Sequence, residues 1–165
     1  MATETELAYL AGIIDGEGSI GAHGETLGKR NGSYQVNVQV GMTQIGSLDL
    51  FVKVFGGRIG LGCKPTSGGK PVYKWRLSAR KAANCLEQLT PYLILKREQA
   101  RDAIALARMN RQRLGKGTSP GYALPVPEDE KIMRREIANR IYQRNFSSNS
   151  RCRKWASYGN HGEKR

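Results

Sequence analysis

Apolar residues recur at helical intervals through Leu7, Leu10, Ile13 and Ile14, behind a Thr3–Glu6 pair with capping-box spacing. That pattern predicts a first helix ending where Gly16 and Gly18 accumulate. The period then changes to two. Val36, Val38 and Val40 alternate with Gln35, Asn37 and Gln39, and Ile20 and Ala22 alternate with Ser19, Gly21 and His23. Two strands with one apolar and one polar face follow, joined through an exposed basic turn from Thr26 to Ser33. Ser47 is the expected cap of a short helix carrying Leu48, Phe51, Val54 and Phe55, closed by Gly56-Gly57. In a second strand pair, Ile59, Leu61 and Cys63 face one side and Arg58 and Lys64 the other. Tyr73, Trp75 and Leu77 point inward there, while Lys74 and Arg76 point outward. Helix is expected again over Ala79 to Leu89, broken at Pro91 and resumed from about Leu93 to Leu114. A Gly/Pro loop from Gly115 to Pro127 leads to a last helix over about Glu128 to Asn145, with acids at its start and arginines towards its end, as the macrodipole favours. The order helix, hairpin, helix, hairpin, helices is that of one α+β domain over residues 1–145, with a basic tail at 146–165.

Composition adds a partner. The chain has 165 residues, 39% of them hydrophobic, enough for one stable core. No apolar run approaches the ~20 residues of a spanning helix, so no membrane is expected. A net charge of +13 carries a cost in self-repulsion that a polyanion relieves. Nucleic acid is the first candidate and an anionic membrane the second; a merely basic surface is the bland alternative. Cys63, Cys85 and Cys152 are odd in number and scattered, and neither they nor His23 and His161 have zinc-ligand spacing. Reduced thiols and an intracellular setting are expected, without a secretory or transit segment.

The first helix carries the candidate chemistry. Ala8, Gly12 and Gly16 form one stripe of small residues, which allows close approach of another helix, either in a second copy or in the same chain. The helix ends in Asp15-Gly16-Glu17-Gly18, with carboxylates at the end where the dipole disfavours them. Carboxylates placed at that cost suggest a cation, although a solvated acidic turn is the alternative.

The segment Leu10 to Gly18, LAGIIDGEG, resembles the motif of the LAGLIDADG homing endonucleases, and Ser19-Ile20 fits its continuation. Gln44 in Met42-Thr43-Gln44, and Leu89 to Lys96, stand at the spacing of single-motif members. The likeness runs from about Glu6 to Gln99. It implies the αββαββα fold, with a twisted antiparallel sheet forming a DNA-binding saddle, followed by C-terminal helices. It further implies an intron-encoded, site-specific double-strand endonuclease acting as a homodimer through the motif helices, Ala8, Gly12 and Gly16 included. The target is a long pseudo-palindromic duplex. Glu17 is the implied essential metal ligand with the Gly16 carbonyl, for Mg²⁺, with Mn²⁺ or Ca²⁺ able to substitute for binding. Gln44 is implied to position water, and Lys96 to stabilise charge on the phosphate. Asp15 reads as structural. The family's acid is more often Asp than Glu, and Leu48 stands where some relatives carry a basic residue.

Outward positions are the expected DNA contacts: His23, Glu25, Lys29, Arg30, Gln35, Asn37 and Gln39 from the first hairpin, and Arg58, Lys64, Lys70, Lys74 and Arg76 from the second. Arg151, Arg153 and Lys154 suit phosphate alone. The competing reading is a protein of this fold that binds without cutting, either a maturase acting on intron RNA or a DNA-binding regulator. Retention of Glu17, Gln44 and Lys96 favours the nuclease. The expected location is an organelle that encodes the protein, chloroplast or mitochondrion, or the bacterial cytoplasm.

Overall fold

Nine elements follow one another in the computed structural model, which describes residues 2–24, 34–63, 69–112 and 126–146. Glu25, Lys29, Arg30, Lys64 and the tail arginines and lysine singled out above lie outside the described residues, as does Leu114. Helix α1 (Glu4–Glu17) starts as its sequence says. The Thr3 hydroxyl accepts from the Glu6 N–H at 3.2 Å, and the Glu6 carboxylate accepts from the Thr3 N–H at 2.9 Å. The Glu6 carboxyl is held below its usual range, first by that Thr3 N–H and then by Lys53.

Strands β1 (Gly18–Gly24), β2 (Tyr34–Met42), β3 (Arg58–Cys63) and β4 (Val72–Ser78) form one antiparallel sheet in the order β1-β2-β4-β3. The two hairpins therefore join through their second strands, with Gln39 opposite Arg76 and Val40 opposite Trp75. Ile20, Val36, Val38, Val40, Trp75 and Leu77 are buried on the inner face, as alternation requires. Leu61 falls on the same side as Ile59, opposite Tyr73, as expected, but is not covered there. It lies on the edge strand, beside a register shift between Leu61 and Cys63, and is 54% exposed. The alternation assigns a face, but no described residue covers that end of the edge.

Helix α2 (Gly46–Phe55) begins one residue before the expected Ser47 cap, with Ile45 in the cap position and no side-chain cap bond. It ends as expected. Gly56 and Gly57 have φ of 71° and 97°, and the Trp75 indole N–H donates to the Gly56 carbonyl at 2.8 Å. Trp75 stacks at 4.5 Å from Phe51, which makes this turn the floor of the core under β4.

Helix α3 (Ala79–Leu89) follows β4 without a connecting residue, and Ala79 takes φ 53° to make the corner. Helix α4 (Arg97–Gln112) starts about four residues later than periodicity suggests. The reason is tertiary: the N–H groups of Ile94, Leu95 and Lys96 are captured by Asp15 from the far end of α1. Helix α5 (Glu128–Phe146) packs Ile137, Ala138 and Ile141 into the core.

The C-terminal helices also complete the sheet. β1 is an edge strand, and the outward carbonyl of Ile20 accepts from the Gln99 amide at 2.9 Å and the Asn145 amide at 2.8 Å. A buried donor and a buried acceptor are thus both satisfied, and the edge is covered at Ile20. Arg134, only 2% exposed, binds Glu130 at 2.7 Å and the Met109 carbonyl at 2.9 Å, which ties α5 to the end of α4.

Candidate active site and nucleic-acid face

The end of α1 is built from two distant segments. No basic residue lies in its last turn, so the dipole there meets only Asp15 and Glu17 within the helix. The missing cation comes from Lys96, whose ammonium donates to the Ile14 carbonyl at 2.9 Å and, more closely still, to the Asp15 carbonyl. Partial burial pushes the Lys96 ammonium below the usual lysine range, while the charges of Asp15 and Glu17 pull it back up. Lys96 is therefore not a helix-surface lysine. Asp15 spends its carboxylate on main-chain N–H groups, at 2.7 Å to Ile94, 3.1 Å to Leu95 and 2.9 Å to Lys96. That agrees with the structural role expected for it and leaves Glu17, which is exposed, as the available acid.

Gln44 reaches the same end of the sheet by a different route. Gly18 pairs with Val40, so the chain entering β1 and the chain leaving β2 lie side by side. Glu17 immediately precedes that pair, and Gln44 follows it in the exposed turn before α2. Leu48 is fully buried in the core, so the position where a basic residue could stand is apolar here. Among the described residues no three His, Cys, Asp or Glu side chains are grouped to hold a metal. What one chain offers is a single exposed carboxylate with main-chain carbonyls of a helix end. These are hard oxygen donors that suit Mg²⁺ or Ca²⁺ as part of a ligand set.

The polar face of the sheet starts at this end. Ser19, Gln39, Arg76 and Arg58 form a row across all four strands, and an Arg76 N–H donates to Gln39 Oε1 at 3.3 Å. Next to it run Gly41, Lys74 and Gly60 on one side, and Gly21, Asn37 and Ser78 on the other. Glycines let the long side chains lie flat. A Cβ on Gly62 would meet the Lys74 stem at 2.5 Å, and one on Gly21 would meet Asn37 Oδ1 at 2.6 Å. Of the expected contact residues, His23, Gln35, Arg58, Lys70 and Arg76 are exposed, and Asn37, Gln39 and Lys74 are half-buried.

Sequence reasoning passed over Arg80 and Lys81. Both are exposed in the first turn of α3, and Lys81 lines one groove with Arg58, Lys74 and Arg76. A signal was there: two cations and no acid at the positive end of a helix dipole is an arrangement that an anion relieves. Ser19 was also missed, because a serine in an alternating strand carries no charge to draw notice.

The small stripe of α1 faces outward. Ala8, Gly12 and Gly16 are exposed, and a Cβ on Gly12 or Gly16 would meet nothing within 4 Å. Among the described residues no other helix of the chain packs against these two glycines.

No family model matches the chain, and no curated protein does. Solved structures do. The homing endonuclease I-CvuI, in complex with a DNA target in the presence of 2 mM Mg with the DNA not cleaved, is 22% identical; the match covers 86% of this chain and 82% of that one, with a TM-score of 0.60. The homing endonuclease I-TnaI is 16% identical, covering 87% of this chain and 97% of that one at a TM-score of 0.57. The archaeal intron-encoded I-Vdi141I, complexed with DNA, is 16% identical over 86% and 98% of the two chains, with a TM-score of 0.51. Helix order, sheet order and the LAGIIDGEG segment at the end of α1 agree with these likenesses: the chain has the LAGLIDADG homing-endonuclease fold.

Proposed function

We propose that this protein is a site-specific, double-strand DNA endonuclease that works as a homodimer with a divalent cation, and that it is intron-encoded. The observation that carries the reading is the meeting of Glu17, Lys96 and the chain bearing Gln44 at one end of a sheet whose open face is basic. Structures of the same fold hold DNA, one in the presence of Mg and another in the presence of 2 mM Ca.

The exposed stripe of Ala8, Gly12 and Gly16 supports a second copy against α1. Ile94 and Leu95, each 79% exposed, are tied through Asp15 to the same helix end, and apolar surface of this kind favours burial. Two-fold symmetry would bring two Glu17 carboxylates together, one for each DNA strand, and would double the basic saddle to match a long pseudo-palindromic target. Glu17 and the Gly16 carbonyl would hold the cation, with phosphate oxygens and water completing its ligands. The chemistry supplied by a cation held there would be polarisation of the phosphate and a readier hydroxide nucleophile. Gln44 orients water at the edge of the site. Lys96 keeps a positive charge at the α1 end, where negative charge develops on the phosphate. Ser19, Gln39 and Arg76 read bases, and Arg58, Arg80 and Lys81 hold phosphate.

The test is cleavage with Mg²⁺ of duplexes selected from a randomised library. Glu17→Gln is expected to bind the selected duplex as the parent does and to cut it at least about 100-fold more slowly. Cutting by Glu17→Gln at the parental rate removes Glu17 from its role.

A further inference from the structure

The last turn of α1 and the chain just before α4 hold each other from both sides. Asp15 Oδ2 accepts from the N–H groups of Ile94 and Leu95, and Oδ1 accepts from that of Lys96. In return, the Lys96 ammonium donates to the carbonyls of Ile14 and Asp15. A helix leaves its first N–H groups and its last carbonyls without intrahelical partners. Here the last carbonyls of α1 are filled by Lys96, and three N–H groups just before α4, about 80 residues away in sequence, are held by Asp15. The arrangement is reciprocal at the level of single residues. Asp15 fixes the main chain of Lys96, and the side chain of Lys96 fixes the carbonyl of Asp15.

A simple cap explains one half of this but not both. To seat three N–H groups on a carboxylate, the chain delays the start of α4 and leaves Ile94 and Leu95 largely exposed. What the clamp achieves is a fixed place for the ammonium on the same helical turn that ends in Glu17. Glu17 is close enough to influence the Lys96 charge. We propose that Asp15 is a positioning residue for the reaction and that it acts through Lys96. Its carboxylate sets the Ile94–Lys96 main chain, which sets the ammonium against the last turn of α1 beside Glu17. This rests on the endonuclease reading and adds to it a residue that touches neither DNA nor cation.

The experiment is a double-mutant cycle on the full chain with Asp15→Asn, Lys96→Met and the pair, using duplexes selected by the parent. Binding affinity, single-turnover cleavage with saturating Mg²⁺ and Tm are read together. Asn replaces one acceptor oxygen with an NH₂ facing N–H donors, so the clamp is broken while size is kept. Asp15→Asn is expected to cut about 100-fold more slowly, the scale of a displaced catalytic group, with affinity within about threefold of the parent. The double variant is expected to cut no more than about threefold slower than the slower single variant, because the two losses are one loss. Asp15→Glu, which keeps both acceptor oxygens, is expected to recover most of the rate. Should Asp15→Asn not fold, Asp15→Ser, which keeps only one acceptor oxygen, takes its place in the cycle with Lys96→Met.

Three results would overturn the inference alone: parental cutting by Asp15→Asn, multiplied losses in the double variant, or rate, affinity and Tm falling together as for a mere cap. A parent that binds but cuts no selected duplex overturns the endonuclease reading, and is seen before any variant is made.

Discussion

Gly57 shows how much one residue can carry. It sits at φ 97°, and a Cβ there would lie 2.8 Å from the Trp75 indole nitrogen and 2.9 Å from a Leu77 methyl. Neither neighbour is free to move, since Trp75 is fully buried, bonded to Gly56 and stacked on Phe51. Gly57→Ala is therefore expected to destabilise the fold by about 2–3 kcal/mol, from backbone strain and overpacking together. Chemical denaturation would measure it, and a loss below about 0.5 kcal/mol would mean that the turn rearranges. Lys96 makes a different point at the same scale. Its position follows a proline-broken stretch and reads as surface, yet its ammonium lies on the end of another helix.

At the scale of elements, α1 divides its surface between two tasks. Leu10, Ala11 and Ile14 are fully buried against the sheet, while Ala8, Gly12 and Gly16 stand in the open. A Cβ at Gly12 meets no described atom within 4 Å, so the fold is expected to persist in Gly12→Leu, and leucine even improves helix propensity by up to about 1 kcal/mol. Close approach of a second copy would be blocked. Analytical ultracentrifugation is expected to show the parent as a dimer and Gly12→Leu as a monomer of unchanged circular dichroism. A variant that sediments with the parent would place the interface elsewhere. The element boundaries themselves were largely legible: Thr3 and Glu6 cap α1, and Gly56-Gly57 closes α2. The start of α4 was not, because Asp15, about 80 residues away, holds the three N–H groups just before it.

For the whole molecule the deciding quantity is charge. A formal +13 attracts any polyanion, but the sheet concentrates it, with Arg58, Lys74, Arg76 and Lys81 around one groove. Binding to a mixed-sequence duplex is expected to weaken steeply with salt, and Arg58→Ala is expected to lower the log–log slope by about 1. An unchanged slope would remove Arg58 from the phosphate contacts. The C-terminal helices matter here too, since Gln99 and Asn145 cover the β1 edge at Ile20 and leave the polar face of the sheet open to a partner.

Local physics was sufficient for much of this. Periods of two and of 3.6 are written residue by residue, so the α+β order, the two hairpins, their inner and outer faces and the LAGIIDGEG helix end all followed from the sequence alone. The pairing of β2 with β4 is non-local, and so are the reach of Lys96 to the Ile14 carbonyl and the exposure of Gly12 and Gly16. Each depends on which surfaces meet after the chain has closed on itself. The sequence thus identified an acid at the end of a glycine-weakened helix and, by resemblance, Lys96 as a site residue; only the tertiary structure placed that ammonium on the last carbonyls of the helix and Asp15 on its main chain.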